Sequence, residues 1–190
     1  MSQPAFRASC SQFPTGVAIV TRMRAGVRLG VTVSSFTSVS LDPPMVLVCV
    51  HRKSSFLQDL VEADSITVNI LADDQRDTSI RFSQHPPAGR FVDAQWDGTT
   101  LLAAAAVLEC GLAEIRIAGD HAILIAEVFD AFSSDRSPLV YFRSGYHEVS
   151  QIPPKVSCPG TFGGSDIIQL PEHLLEDGNH LLTRGPVARE

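Results

Sequence analysis

The feature that most limits the fold is a succession of short β-branched runs, with no long helical period between them. Residues 17–20, 31–34, 45–50, 66–71, 107–117, 122–128 and 139–142 are rich in Val, Ile, Leu, Thr or aromatic side chains. Such side chains are stiff at χ1 and pack well on a pleated surface. Gly26, Gly30, Gly111, Gly119 and the step Asp42, Pro43, Pro44 separate the runs, as turn residues separate strands. Residues 45–50 are apolar at every position, which predicts a strand buried on both faces. Strands this short with little between them predict a mainly β chain closed as an antiparallel barrel.

Helices are few. A short one is expected over residues 6–13. A second is expected over 56–61, capped by Ser54 or Ser55, with Gln58 three residues after Ser55 as in a capping box. A third would run from Asp73 or Asp74 to Phe82. No G-x-G-x-x-G follows a strand, which argues against a dinucleotide-binding βαβ unit.

The 190 residues suit one domain over 1–150 and an extension over 151–190. Pro153, Pro154, Pro159, Gly160, Gly163 and Gly164 make that extension partly irregular, with one short helix expected near 171–175. His173 and His180 in it have no metal-ligand spacing. Charged residues are 19% of the chain, below the usual quarter or about that, so a second subunit is expected to cover part of the surface. The net charge is −6 with no basic run, which argues against nucleic acid as a partner. The longest apolar run, 44–50, is too short to span a bilayer, and no signal peptide is evident. Cys10, Cys49, Cys110 and Cys158 form no C-x-x-C pair, which reads as reduced thiols in a cytoplasmic protein.

One segment carries chemistry. Between Gly30 and Pro44 lie Thr32, Ser34, Ser35, Thr37, Ser38 and Ser40. Hydroxyls and free backbone N–H groups suit an uncharged polar heterocycle, but the same residues also suit an edge strand with a solvated face. Lys53 with Ser54 and Ser55 reads as a phosphate site at a helix start, or as a plain serine cap beside solvated cations. Gly119, Asp120 and His121 sit between two expected strands as a hairpin turn.

Taken in order, these residues resemble the flavin reductase-like, FMN-binding split-barrel family. The resemblance rests on Phe13, Pro14, Thr15, Gly16 and Val17, then on Gly30, Thr32, Ser35, Phe36, Ser38, Val39, Ser40, Leu41, Asp42, Pro43 and Pro44. Asn69, Gln75, Phe82, Arg90, Phe91, Trp96, Cys110 and the Gly119, Asp120, His121 turn follow in the family's order. It covers roughly residues 5–148. It implies a homodimeric, six-stranded Greek-key split barrel with short flanking helices. Thr32, Val33, Ser34 and Ser35 would line the flavin ring, and Ser38, Val39 and Ser40 would continue that wall. His51, Arg52, Lys53, Ser54 and Ser55 would meet the ribityl phosphate, and Phe82 and Ser83 would close the other side. His121 would border the nicotinamide, with Asp120 fixing its tautomer or shaping the turn. Tyr146 would be a further nicotinamide contact, although Gly145 and Tyr146 are adjacent here where the family often has Gly-x-Tyr.

The implied activity is hydride transfer from NADH or NADPH to FMN or FAD, with reduced flavin passed to a partner monooxygenase. Two alternatives remain at this stage: a flavoprotein that holds its flavin tightly and reduces another acceptor, and a flavin-binding subunit without hydride chemistry.

Overall fold

In a computed structural model, described over residues 2–150 apart from 63, 85–88 and 92–94, the expected strands form and pair antiparallel throughout. The expectations for 151–190, including the helix near 171–175, lie outside the described residues. Helix α1 spans Gln3–Cys10. It starts earlier than the apolar pattern indicates because Ser2 caps it, its hydroxyl accepting from Ala5 N–H, with Pro4 in the first turn. The strands are β1 (Thr15–Gly16), β2 (Ala18–Arg24), β3 (Val27–Val33), β4 (Thr37–Leu41), β5 (Pro44–His51) and β6 (Ser65–Ile70). After a 3-10 turn over Asp73–Gln75 comes α2 (Arg76–Ser83). The short strands β7 (Trp96–Asp97) and β8 (Thr100–Leu101) precede the long hairpin of β9 (Ala106–Ala118) and β10 (His121–Ser133). Two short strands follow, β11 (Val140–Phe142) and β12 (Gly145–His147).

The main sheet has seven strands in the order β3-β2-β6-β9-β10-β5-β4. Strands β3 and β4 therefore lie at opposite edges, although only residues 34–36 separate them in the chain. A link that short forces the sheet to curl until its edges meet. At the meeting point a side chain replaces the missing ladder. The Ser35 hydroxyl accepts from Cys49 N–H at 2.8 Å and donates to Cys49 C=O at 3.0 Å.

Curling gives β2 two buried faces. Ala18 and Val20 point into the barrel with Val33, Val48, Val50, Val68 and Leu124. Val17 and Ile19 join an outer cluster with Leu71, Phe82, Trp96, Leu101 and Leu139. Strand β5 alternates instead of being buried on both faces. Val46, Val48 and Val50 are buried, whereas Leu47 and Cys49 are half-buried, because their side of β5 looks away from the core.

The helix expected over 56–61 is only a 3-10 turn, Ser55–Leu57. The cause is Arg22, on β2 and buried. Its Nε donates to Phe56 C=O at 3.0 Å and its Nη2 to Gln58 C=O at 2.5 Å. Those carbonyls are the acceptors that a continuing helix would use. Asp59 then takes a φ of 53°, which stops the helix.

A buried polar cluster ties the β7–β8 hairpin beneath the outer cluster. The fully buried Asn69 amide nitrogen lies 3.2 Å from Ile19 C=O, 3.1 Å from Thr21 Oγ1 and 3.2 Å from Thr99 C=O. Its Oδ1 accepts from Leu101 N–H at 2.7 Å. Thr21 donates to Thr99 C=O at 2.6 Å, and the Thr67 and Thr99 hydroxyls are 2.8 Å apart.

Candidate functional site

Where the two edges of the sheet meet, a cavity of about 580 Å³ opens. That volume is in the range of small-molecule sites, roughly 300–1,000 Å³. One wall is the free edge of β3 and its extension: Val31, Thr32, Val33, Ser34 and Ser35. The facing wall is the end of β5, Cys49, Val50 and His51, where β4 no longer pairs with it. Lys53 and Ser54 follow, His121 enters from β10, and Phe82, Ser83 and Arg90 close the remaining side.

The structure thus gathers ten of the residues expected from the sequence: Thr32, Val33, Ser34, Ser35, His51, Lys53, Ser54, Phe82, Ser83 and His121. Others lie beside this lining. Ser38, Val39 and Ser40 are on β4, against Val46 and Met45 of β5, with Val39 at a register shift. Arg52 lines a smaller cavity with Leu57 and Ile115. Its N–H donates to Asp120 C=O at 2.9 Å, which ties the Lys53 loop to the β9–β10 turn. Ser55 opens the 3-10 turn. Tyr146 lines an adjoining cavity of about 200 Å³, which shares Thr32, Val33, Ser34 and Ser83 with the main one. The Tyr146 hydroxyl is 2.9 Å from Ser79 Oγ, and Tyr141 stacks edge-on at 5.3 Å.

The sequence reading did not single out Val31, Cys49, Val50 or Arg90 as lining. Val31 precedes Thr32 on β3, and Cys49 and Val50 precede His51 on β5. In the sequence Arg90 follows Pro86, Pro87 and Gly89 and reads as an ordinary solvated cation, yet it is 4% exposed.

The two histidines are held in defined orientations. His51 and His121 are paired across β5 and β10, their rings edge-on at 5.2 Å. His51 Nδ1 accepts from Lys53 N–H at 3.1 Å, so in the neutral ring the proton sits on Nε2. His121 Nδ1 lies 2.7 Å from Asp120 Oδ1. The hydrogen bond from His121 holds the exposed Asp120 carboxyl below the usual carboxylate range. A carboxylate only accepts, so His121 Nδ1 carries a proton and Nε2 is the ring's free nitrogen. The turn that sets this up has Gly119 at φ +62°, which favours glycine in a two-residue hairpin loop. Buried Cys110 is a different case: burial pushes its thiol up to about 11, leaving it an inert core residue.

The aromatic wall depends on Gly30. A Cβ there would lie 2.6 Å from Phe82 Cε1 and 3.2 Å from Phe91 Cζ. Phe82 is itself packed by Phe91 at 4.8 Å and Trp96 at 5.2 Å.

The lining fits a flavin nucleotide on its own chemistry. Hydroxyls of Thr32, Ser34 and Ser35 border one wall, and among the described residues no acidic side chain lines the cavity. Lys53 and Arg90 supply positive charge, and Arg90 Nε is buried with no partner among the described residues.

Comparison with known proteins agrees. The chain is 38% identical over 148 residues to the reductase subunit of stachydrine N-demethylase from Rhizobium meliloti, covering 75% of this chain and 64% of that one. It is 36% identical over 145 residues to the reductase component of a 4-nitrophenol 4-monooxygenase/4-nitrocatechol 2-monooxygenase from Rhodococcus opacus, covering 74% and 78%. It spans 47% of the length of two further curated relatives. Among solved structures, the NADH:FAD oxidoreductase of Streptomyces globisporus superposes with a TM-score of 0.71 at 29% identity, over 79% of this chain and 95% of that one. The family model described as flavin reductase like domain matches residues 10–150, and the chain belongs to that family.

Proposed function

We propose that this chain is an NAD(P)H-dependent flavin reductase that takes FMN or FAD into the cavity between β3 and β5 and supplies reduced flavin to a separate monooxygenase in the cytoplasm. The observation that carries the reading is the cavity itself: a hydroxyl-bearing strand edge facing a cationic loop, with an oriented histidine at the rim. Relatives that are reductase components of monooxygenases support the oxygenase partner.

When bound, the flavin supplies the hydride-accepting centre. The protein's residues position and shield. The β3 edge offers hydrogen bonds along one wall, and Phe82 gives an apolar closure over the opposite side. Lys53 places a positive charge for the phosphate. Asp120 fixes His121 through Nδ1 and leaves Nε2 to face a nicotinamide, so the ring orients that ligand without acting as nucleophile.

Purified protein with FMN or FAD should oxidise NADH or NADPH well above the rate of free flavin; a rate no higher than free flavin would sink the reading. His121→Ala should lower kcat by about ten- to a hundredfold, a usual loss when positioning fails, while flavin binding is kept. Unchanged turnover would remove His121 from the site.

The chain also acts as a homodimer in this reading. Val39 and Leu41 on β4, and Phe129 and Phe132 on β10, are exposed apolar side chains, Leu41 to 95%. Exposed apolar side chains on neighbouring parts of one sheet suit an interface. Sedimentation equilibrium should give twice the 20.5 kDa chain mass, and Leu41→Glu with Phe132→Glu should give the monomer mass. A wild-type monomer would refute the assembly.

A further inference from the structure

Away from the flavin cavity, a separate hollow of about 280 Å³ opens beside the start of α2. Among the described residues it is lined by Asp74, Gln75, Thr78, Gln95, Leu102 and Arg136, with Ala103 at its side. None of these lines the flavin cavity. A chain reversal builds it. Ala72 and Pro138 form an antiparallel bridge, and Asp73 N–H donates to Ser137 C=O at 2.9 Å. Arg136 is thereby brought opposite Asp74, and the two form an ion pair. On the inner side Gln75 is held by its carboxamide. Its Oε1 accepts from Ala72 N–H at 2.9 Å, and its Nε2 donates to Ala103 C=O at 3.1 Å. A carboxamide has two N–H donors, so one remains unused.

Thr78 is the residue that calls for a ligand. It is 6% exposed and lines the hollow, yet its hydroxyl has no hydrogen-bond partner among the described residues. A helical threonine can return its hydroxyl to a carbonyl of the preceding turn, and Thr78 does not. A buried hydroxyl left unpaired costs free energy unless something in the hollow takes it up. The lining is also ordered by charge. The inner groups, Thr78 and the spare Gln75 N–H, are donors. Arg136 adds guanidinium N–H groups from a half-buried position. The single carboxylate, Asp74, is nearer solvent, its side chain 63% exposed against 34% for Arg136. An ion pair this open contributes little to stability, so both members can share their bonds with a ligand.

We propose that this hollow binds a small zwitterion, an α-amino acid with an apolar side chain. Its carboxylate turns inward to Thr78, Gln75 and Arg136, its ammonium meets Asp74 at the rim, and its side chain lies against Leu102. The lining charges cancel, so a ligand with one charge satisfies only one member of the ion pair, whereas a zwitterion satisfies both. A carboxylate accepts several hydrogen bonds and matches the fork of a guanidinium. The volume is about half the 580 Å³ of the flavin cavity, which suits a free amino acid and not a nucleotide. The site is independent of the flavin reading.

The test is an NMR titration of the wild type, Thr78→Val and Arg136→Gln with L-leucine and with the two halves of its chemistry. Isocaproate lacks the amino group, and isoamylamine lacks the carboxylate. Trp96 is the chain's single tryptophan and follows Gln95, so its one indole resonance reports on the hollow together with the backbone amides. Leucine should shift the Gln75, Thr78 and Trp96 resonances saturably. Each half should bind at least about tenfold more weakly, the size of one lost charged hydrogen bond. Thr78→Val should weaken leucine about tenfold, and Arg136→Gln about ten- to a hundredfold. No saturable shift with leucine, a half that binds as tightly as leucine, or unchanged leucine binding in either variant would overturn the proposal. Should a variant not fold, the comparison of leucine with its halves on the wild type decides the matter alone.

Discussion

A Gly30→Ala variant is expected to fold less stably and to bind flavin at least about tenfold more weakly, for about 1–3 kcal/mol of overpacking. The added methyl would sit 2.6 Å from Phe82 Cε1. The ring cannot step aside, because Phe91 and Trp96 pack it on its other sides at 4.8 and 5.2 Å. The open direction is the cavity that Phe82 lines. Strain at a backbone position with no ligand contact of its own is thus transmitted into the site. Thermal melts and flavin titration together check this. A variant with unchanged flavin affinity would show that the ring relaxes elsewhere.

The second large effect is expected at Asn69. Asn69→Ala should cost about 2–4 kcal/mol, because it strips hydrogen bonds from buried neutral partners at about 1–3 kcal/mol for each group left unsatisfied. The substitution leaves the N–H of buried Leu101 and the Thr99 carbonyl with one partner fewer. It also opens a small void beside Thr21. The loss should not be confined to stability. Leu101 and Trp96 pair across β7 and β8, and Trp96 packs Phe82, so freeing that hairpin loosens the aromatic wall. Urea unfolding measures the first effect and near-UV circular dichroism of the tryptophan the second. A loss below about 1 kcal/mol would mean that water replaces the amide.

Much of this was legible in the chain. The β-branched runs found β2, β3, β5, β6, β9 and β10, because such residues in short alternating stretches have few other uses. The order of motifs found ten of the residues that line the cavity. What escaped was what depends on distant partners. The turn after Ser54 has local signals for a helix, and only Arg22, from a strand more than thirty residues away, takes the carbonyls that would build it. Strand β5 is apolar throughout, yet the cavity occupies part of its second face, which no local pattern records. Arg90 was invisible as a site residue for the same reason. Its burial is created by the free edge of β3 and the end of α2, neither of which its neighbours in sequence announce.

That free edge of β3 has a further meaning. A strand with one unpaired side is a template for another chain, and soluble proteins must blunt such edges to avoid aggregation. Here the edge is turned inward on the curled sheet and guarded by side chains instead of a neighbouring strand. Thr32 Oγ1 donates to Ser79 C=O at 2.7 Å, Arg90 occupies the Gly30 carbonyl, and Ser35 clasps Cys49. Side chains, not a neighbouring strand, occupy the groups that would otherwise recruit a stray strand, so the edge is closed to another chain while the gap in the hydrogen-bond ladder still leaves room for the cavity.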